Sequence, residues 1–203
     1  MSLMIQQLRP AISLAVLLTI LLGLVYPLTI TGIAQAVFPF QANGSLLRDD
    51  FGTVVGSALI GQEFTSPGYF HGRPSVTVDA DSGEDRPYNA ANTTASNLAP
   101  TNQKLIDTVE ARTRAYRELN GLSSETRVPV DAVTSSGSGL DPHITPANAR
   151  LQVTRVAQAR GLNQEAVAAL VDAHTEGRTF GLLGEPRVNV LGLNRALDAL
   201  AGR

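Results

Sequence analysis

The chain of 203 residues contains no cysteine and no tryptophan, and aromatic residues make up 5% of it. Without cysteine it can form neither a disulfide nor a thiolate zinc site, and it has no cysteine nucleophile. The scarcity of aromatic side chains argues against a large aromatic ligand cage. A formal net charge of -2 leaves no basic field for nucleic acid and no acidic tail. The absence of cysteine does not by itself fix the compartment.

Charged side chains are also missing from one long stretch near the start. Between Pro10 and Leu47 there is no Asp, Glu, Lys, Arg or His. Residues 11–38 are dense in Leu, Ile and Val and exceed the roughly 20 apolar residues that a membrane-spanning helix needs. The sequence therefore predicts a short cytoplasmic N-terminus (residues 1–10), a transmembrane helix (11–38) and one extracytoplasmic domain (39–203).

The main alternative to a retained anchor is a cleaved secretory signal. Arg9 supplies a short positive start, and Ala34-Gln35-Ala36 resembles a cleavage site. The apolar run continues to Phe38, beyond the expected core of a signal, and this favours a retained helix. Orientation by charge is close to a tie, because Arg9 and Arg48 lie on opposite sides. The basic start favours a cytoplasmic N-terminus.

Several residues of the predicted span suggest that it packs against other helices. Gly23 and Gly32 are small enough to let a neighbour approach closely. Pro27 removes one helical hydrogen bond and is expected to bend the helix. Tyr26 and Gln35 carry polar groups that lipid does not satisfy. We interpret these five residues as partner-contacting; the alternative is a lone tether with incidental small residues.

The remainder of the chain predicts a single α+β domain with its helices gathered late in sequence. Strands are expected at 53–55, 58–60, 69–70 and 128–133, and a long polar loop is expected at 76–99. Thr101, Thr145 and Asn163 are predicted N-caps. The predicted helices cover residues 101–120, 146–160, 164–174 and 190–200.

No combination of residues predicts an active site. The Gly- and Ser-rich stretch 135–139 resembles a nucleophile elbow, but Ser136 stands where the pattern needs glycine. Ser138 and His143 are nevertheless the residues through which a membrane-anchored serine hydrolase would act. His71, His143 and His174 lie far apart and lack metal-ligand spacing. We therefore predict no catalytic residue, no metal site and an accessory role.

Strings of residues along the whole chain resemble one known family. They are YPL at 26–28, QANGSL at 41–46, GSALIGQ at 56–62, YFHGRPS at 69–75, GLDPHITP at 139–146, RVA at 155–157, GEPRVNVL at 184–191 and LNRAL at 193–197. In this order they resemble the C subunit of the Kdp high-affinity potassium-transporting ATPase of bacteria. Residues 78–97 depart most from the family, although Ser96-Asn97-Leu98 still resembles its small-residue loop.

The resemblance implies a non-catalytic subunit of the bacterial inner membrane, with its N-terminus in the cytoplasm and its domain outside. The implied partners are a channel-like potassium-translocating subunit, a P-type ATPase subunit and a small single-span subunit. ATP and K+ would be handled by the complex, and no cofactor is assigned to this chain. The family subunit is described as needed for assembly and as a catalytic chaperone that raises the ATP affinity of the ATPase subunit.

Residues 59–62 are the string that this chaperone description singles out, which makes Gly61 and Gln62 weak nucleotide-binding candidates. A domain outside the membrane cannot touch cytoplasmic ATP, so direct contact conflicts with the implied topology. Our hypothesis is that the helix packs on the channel-like subunit and the domain caps its outer mouth. Asn43, Gln62 and Asp141 would contact the partner there. A secreted binding domain with a cleaved signal is the remaining alternative.

Overall fold

The computed structural model describes residues 2–201, with side chains from residue 5 to residue 200. Met1, the first residue of the predicted N-terminal segment, and residues 202–203, the last two of the predicted domain, lie outside the described residues. The chain divides into two compact units, residues 1–46 and 47–203. An apolar helical unit is followed by a mixed helical and sheet unit, which confirms the predicted α+β class with one long N-terminal apolar helix.

The first unit is helical throughout most of its length. Its elements are α1 (Ser2–Ile20), a π-helical segment (Leu21–Val25), α2 (Tyr26–Val37) and the single turn α3 (Pro39–Ala42). Pro27 explains the π segment, because it lacks an N–H and its ring would collide with the carbonyl group four residues earlier. The helix widens over that turn, and the Tyr26 N–H donates to the Leu21 carbonyl five residues back.

Two small sheets lie in the second unit, and the first strand of one of them begins at Leu46, the last residue of the first unit. The first pairs β1 (Leu46–Arg48) with β2 (Val54–Ser57). The second has three antiparallel strands, β3 (His143–Ile144), β4 (Thr175–Glu176) and β5 (Arg187–Asn189), in the order β3-β5-β4. His143 lies opposite Asn189, and Thr175 lies opposite Val188. β5 is therefore the central strand that joins two distant parts of the sequence.

Four helices complete this unit: α4 (Gln103–Leu119), α5 (Pro146–Arg160), α6 (Gln164–Ala173) and α7 (Val190–Ala201). The predicted caps are confirmed for α5 and α6, where the Thr145 hydroxyl accepts from the Asn148 N–H and the side-chain Oδ1 of Asn163 accepts from the Glu165 N–H. Asn102, not Thr101, caps α4. Gly161 ends α5 at a φ of +64°, a left-handed conformation that glycine adopts without a Cβ clash.

Three of the predicted strands are wrong. Residues 58–60 form a turn, residues 69–70 are unpaired with any strand, and residues 128–133 contain a short 3-10 helix, Val130–Ala132. The strand at 53–55 is confirmed as β2, and β1, β3, β4 and β5 went unpredicted because strands of two or three residues carry almost no periodicity. Within residues 58–102 the described chain contains no helix or ladder strand, only an isolated bridge from Val78 to Asp85, so the long polar loop is confirmed.

The hydrophobic core of this unit lies where α5, α6 and α7 meet the three-stranded sheet. Side chains from all four elements are almost completely buried there, and they are joined by Phe70 from the extended segment before the polar loop. Its members are Phe70, Ile144, Ala149, Val153, Val156, Ala157, Val167, Val171, Val188, Val190, Leu193 and Leu197. Because Phe70 is fully buried, the backbone around it is carried into the core as well.

The backbone at Phe70 and His71 is satisfied by side-chain amides instead of by a neighbouring strand. Asn194 on α7 accepts from the Phe70 N–H and donates to the Phe70 carbonyl, both at 2.9 Å. Gln152 on α5 makes the same pair of bonds with His71, at 2.8 and 3.1 Å. Each amide thus replaces one residue of a strand partner, which explains why residues 69–70 form no ladder.

Arg155 on α5 also holds this segment in place. It is 7% exposed and forms no ion pair with a carboxylate of the described residues. The guanidinium donates to the Asn120 side chain, to the Pro67 and Tyr69 carbonyls, and to the Gln152 side chain. Four oxygen acceptors therefore replace the ion pair that a buried cation usually requires.

We predict that Gln152→Leu destabilises the protein by at least about 3 kcal/mol, because it leaves the His71 N–H, the His71 carbonyl and one Arg155 donor buried without partners. Gln158→Leu, on the exposed face of the same helix, is the matched control and should change the stability by less than about 0.5 kcal/mol. Urea unfolding of the full chain in neutral detergent, followed by circular dichroism, measures both. We call the hydrogen bonds of Asn194 and Gln152 to Phe70 and His71 the clamp. Equal effects of the two substitutions would contradict the role of Gln152 in it.

Candidate functional site

The long apolar helix provides the first surface on which a partner could bind. Residues Ile5–Val37 have a mean hydropathy of 2.4 over their most apolar window, and no residue of that window is buried. This is the one helix among the described residues that is long and apolar enough to cross a membrane. At about 1.5 Å per residue it exceeds the roughly 30 Å hydrocarbon core of a bilayer. The predicted transmembrane helix therefore agrees with the structure in length and composition.

The residues predicted to contact partners along this helix are all exposed. A Cβ added at Gly23 or Gly32 meets no atom within 4 Å. Tyr26 is 60% exposed, and Pro27 occupies the first turn of α2, directly after the π segment. Nothing within the unit covers these positions, so their role toward a partner stays a prediction.

Gln35 and Asn43 are brought together by the structure. The Asn43 side-chain amide donates to Gln35 Oε1 at 3.1 Å and to the Pro39 carbonyl at 2.6 Å. This pair joins the end of α2 to the turn that follows it. The polar group that lipid would not satisfy on Gln35 is thus partly satisfied by the chain itself.

A polar cluster in the second unit collects three of the strings that resemble the family. Gly61 N–H donates to the Leu140 carbonyl at 2.8 Å, which joins the string at 56–62 to the string at 139–146. Arg73, from the string at 69–75, donates to Asp141 Oδ2 at 3.1 Å and to the Ser135 carbonyl at 3.1 Å. The cluster therefore forms where distant parts of the sequence meet.

Asp141 is the acidic centre of this cluster, and its environment favours the ionised form. Partial burial alone would raise the pKa of Asp141, but hydrogen bonds from His143 and the charge of Arg73 outweigh it and lower the pKa below its usual range. Tyr88 stands beside the pair and donates its hydroxyl to the Arg73 carbonyl at 2.7 Å. Burial, with a smaller contribution from Asp141, raises the pKa of Tyr88 to about 12, so the phenol stays protonated.

Gly61 and Gln62 serve the packing of this cluster. A Cβ at Gly61 would collide with the Tyr88 ring and lie 2.8 Å from the Asp141 carbonyl oxygen, so only glycine fits there. The Gln62 amide donates to the Val55 carbonyl at 2.7 Å and fills the space beside Gly56. The Gly61 N–H and the Gln62 amide nitrogen are thus engaged within the domain, and the assignment of these residues as nucleotide candidates stays a prediction.

Ser138 and His143, the residues of the hydrolase alternative, form no catalytic arrangement in the described chain. The Ser138 hydroxyl accepts from the Leu140 N–H at 3.1 Å and makes no hydrogen bond to His143. His143 Nδ1 instead faces Asp141 Oδ1 at 3.5 Å. A serine nucleophile needs a base within hydrogen-bond reach, and no base is placed there.

Sequence reasoning missed several residues that organise this cluster. Arg73 lies in the string at 69–75 that resembles the family, and this could have marked it as a candidate. Its role in the cluster does not follow from the sequence. Tyr88 lies in the variable polar stretch and carries no such signal. It is held at a φ of +57° by the loop around it. Ser75 also links the loop to the cluster, because its hydroxyl donates to the Gly139 carbonyl at 2.8 Å.

We predict that Asp141→Asn lowers the thermal midpoint at pH 7 and that this difference shrinks under acid conditions. Because the folded-state pKa is lowered, the stabilisation is complete above the unfolded-state value near about 4 and is lost as the pH falls through the folded-state pKa. Asp172→Asn is the control, since Asp172 forms a surface ion pair with Arg150. Thermal melts of the full chain across the pH range distinguish the two; equal, pH-independent effects would contradict the assignment.

Comparison with known proteins places the chain among potassium-transport proteins. Residues 8–199 match the family described as "KdpC: K+-transporting ATPase, c chain". A potassium-transporting ATPase KdpC subunit of Rhodopseudomonas palustris is 54% identical over 201 residues, covering 97% of this chain and 98% of that protein. The protein of that name from Caulobacter vibrioides is 54% identical over 197 residues, covering 97% of this chain and 94% of that protein. The one from Methylobacterium nodulans is 54% identical over 205 residues, covering 98% of this chain and 100% of that protein.

The match runs through both structural units and includes every string that forms the polar cluster and the clamp on Phe70 and His71. On these grounds the chain belongs to the KdpC family, the C subunits of the potassium-transporting ATPase.

Proposed function

We propose that this chain is a non-catalytic accessory subunit that is anchored in the bacterial inner membrane and helps to hold a potassium-transporting ATPase together. Its relatives are named as subunits of such an ATPase, which supports an accessory role in potassium uptake. The N-terminus would lie in the cytoplasm and the domain outside. The channel-like subunit, the P-type ATPase subunit and the small single-span subunit are the proposed partners.

The observation that carries this proposal is the uncovered apolar surface of the first unit. No residue from 5 to 37 is buried, although most of them are apolar. Such a surface needs lipid or other helices around it. Gly23 and Gly32 provide positions where a partner helix could approach the backbone closely, and the widened turn before Pro27 exposes backbone groups that a neighbour could satisfy.

The second unit has an apolar surface of its own, at the tip of the hairpin between β4 and β5. Phe180, Leu182 and Leu183 are 90%, 78% and 63% exposed. The tip is nevertheless ordered, because Thr179 and Leu183 exchange both backbone hydrogen bonds at 2.9 Å. Phe180 adopts a φ of +54°, a conformation that a large side chain rarely takes. A strained, ordered and exposed apolar tip is typical of a binding element.

The charges at the base of the hairpin favour a protein surface as the occupant. Arg178 donates to both carboxylate oxygens of Glu185 at 2.7 Å, and Arg187 pairs with Glu176 at 2.9 Å. Both arginines are therefore neutralised within the hairpin, and neither remains for lipid phosphates. We propose that the tip inserts into an apolar depression on the extracytoplasmic side of a partner subunit.

The domain would then lie over the outer mouth of the channel-like subunit, as proposed for Asn43, Gln62 and Asp141. A cavity of about 720 Å³ beside Gln62 supports this position. It is lined by Asp49, Asp50 and Asp198 and by one cation, Arg195; Asp198 pairs with Arg160 at 2.7 Å, which leaves two carboxylates against one cation. A net negative surface raises the local concentration of cations near an entrance. On this view any influence on ATP affinity reaches the ATPase subunit indirectly, through the assembled complex.

We predict that Phe180→Ser weakens association with the other subunits about tenfold. Phe180 is 90% exposed, so it adds little to the stability of the isolated domain, whereas in the complex its burial would contribute to binding. Val130→Ser, at a site that is 72% exposed elsewhere in the domain, is the control. Co-purification in mild detergent at graded concentrations measures the difference. Unchanged association of the Phe180 variant would exclude the hairpin as a contact, without affecting the role of the helix.

Removing residues 47–203 while retaining residues 1–46 tests the proposed cap. We expect the helix to remain associated with partner helices, and potassium uptake by the complex to change in affinity or rate. The measurement is potassium uptake together with co-purification of the truncated chain. Unchanged uptake with unchanged assembly would refute the cap, and loss of association would assign the main docking contacts to the domain.

A further inference from the structure

Arg112 on α4 is a half-buried cation without a counterion. Its guanidinium makes a single hydrogen bond, from Nη1 to the Val133 carbonyl at 3.3 Å. No carboxylate oxygen among the described side chains lies within 4.0 Å of it. Burial also lowers the pKa of Arg112, which reflects the same incomplete compensation. No side-chain nitrogen or oxygen among the described residues is both buried and unpartnered, so the remaining donors of Arg112 are open to an anion from outside the chain.

Arg112 opens onto a cavity of about 540 Å³ between α4 and the polar loops. Lys104 lines the same cavity from about two turns earlier on the helix and forms no ion pair in the described structure. Ser96 and Ser135 also line it, and neither hydroxyl is engaged in a hydrogen bond with another described group. The cavity therefore presents two positive charges and two free hydroxyl donors.

One carboxylate, that of Asp85, lines the cavity and opposes these charges. It is exposed and pairs with neither Arg112 nor Lys104. Arg112 borders a second cavity of about 500 Å³ as well, whose one acidic lining residue is the exposed Glu63, which forms no ion pair with a described residue. Neither acid neutralises the guanidinium, so the cavity keeps an excess of positive charge.

The wall of the cavity is built by a rigid set of hydrogen bonds. Thr77 is 1% exposed, and its hydroxyl donates to the Arg86 carbonyl at 2.6 Å and accepts from the Asn89 N–H at 3.0 Å. Asn97, between the lining residues Ser96 and Leu98, is held at a φ of +50°.

We propose that this cavity binds a phosphate group, with Arg112 donating to its oxygens, Lys104 contributing a second positive charge, and Ser96 and Ser135 donating from the rim. The forked guanidinium matches a phosphate in geometry and charge, and hydroxyl donors complete a tetrahedral oxyanion. Free phosphate and the headgroup of an anionic phospholipid share this chemistry. The site is independent of the subunit contacts proposed above.

The test is thermal unfolding of the full chain in dodecyl maltoside, with inorganic phosphate titrated against chloride at constant ionic strength. A bound ligand raises the midpoint in a saturable manner. We expect Arg112→Gln to raise the apparent dissociation constant at least about tenfold. Arg114→Gln is the matched control, because Arg114 lies on the same helix, is exposed and pairs with Glu110; its substitution should leave binding unchanged.

Asp85→Asn provides the opposite test, since removing the opposing carboxylate should lower the dissociation constant severalfold, and this holds even if Arg112→Gln fails to fold. The proposal is overturned if neither inorganic phosphate nor phosphatidylglycerol stabilises the chain beyond the chloride and phosphatidylcholine controls, or if the three variants respond alike. Nanodiscs of phosphatidylcholine with and without phosphatidylglycerol identify the source. Arg112-dependent stabilisation by phosphatidylglycerol alone assigns a lipid headgroup, whereas stabilisation only by added phosphate assigns the free ion.

Discussion

The extended segment from Gly61 to Ser75 has to enter the domain without a strand to pair with, and the rest of the second unit is arranged around that constraint. Asn194 and Gln152 supply the hydrogen bonds of a missing strand to Phe70 and His71. Arg155 holds the carbonyls just before them. A buried backbone that lacks these partners would cost more free energy than the burial of Phe70 returns. The side-chain amides therefore allow the core to close.

The polar cluster depends on that segment in turn. Once Phe70 is fixed, Arg73 is carried to Asp141, and the Arg73 carbonyl accepts from Tyr88. Tyr88 then anchors the long polar loop against the domain, even though the loop has no ladder strand of its own. Residues of this loop line the cavity beside Arg112. The position of that cavity therefore depends on the hydrogen bonds that hold Phe70, Arg73 and Tyr88.

The second unit contrasts with the first, where no residue from 5 to 37 is buried. Among the described residues of the domain, every buried side-chain nitrogen or oxygen has a hydrogen-bond partner, whereas the helix offers an uncovered apolar surface. The hairpin tip around Phe180 is a local exception, because it is ordered by its own backbone bonds yet leaves three large apolar side chains in solvent. A domain whose described buried polar side chains are all hydrogen-bonded, together with two apolar surfaces that no described residue covers, fits a subunit that works within a complex.

Local signals in the sequence determined the apolar helix, the irregular turn at Pro27, the caps at Thr145 and Asn163, the stop at Gly161 and the long polar loop, because each depends on neighbours within a few residues. The family, too, was readable from the order of its strings. The pairing of β5 with β3 and β4, the unpaired state of residues 69–70, and the meeting of Gly61, Arg73 and Asp141 depended on contacts between residues far apart in the chain. Tertiary structure alone decided those, because a strand of two or three residues and a side-chain amide that imitates one leave no periodic trace in sequence.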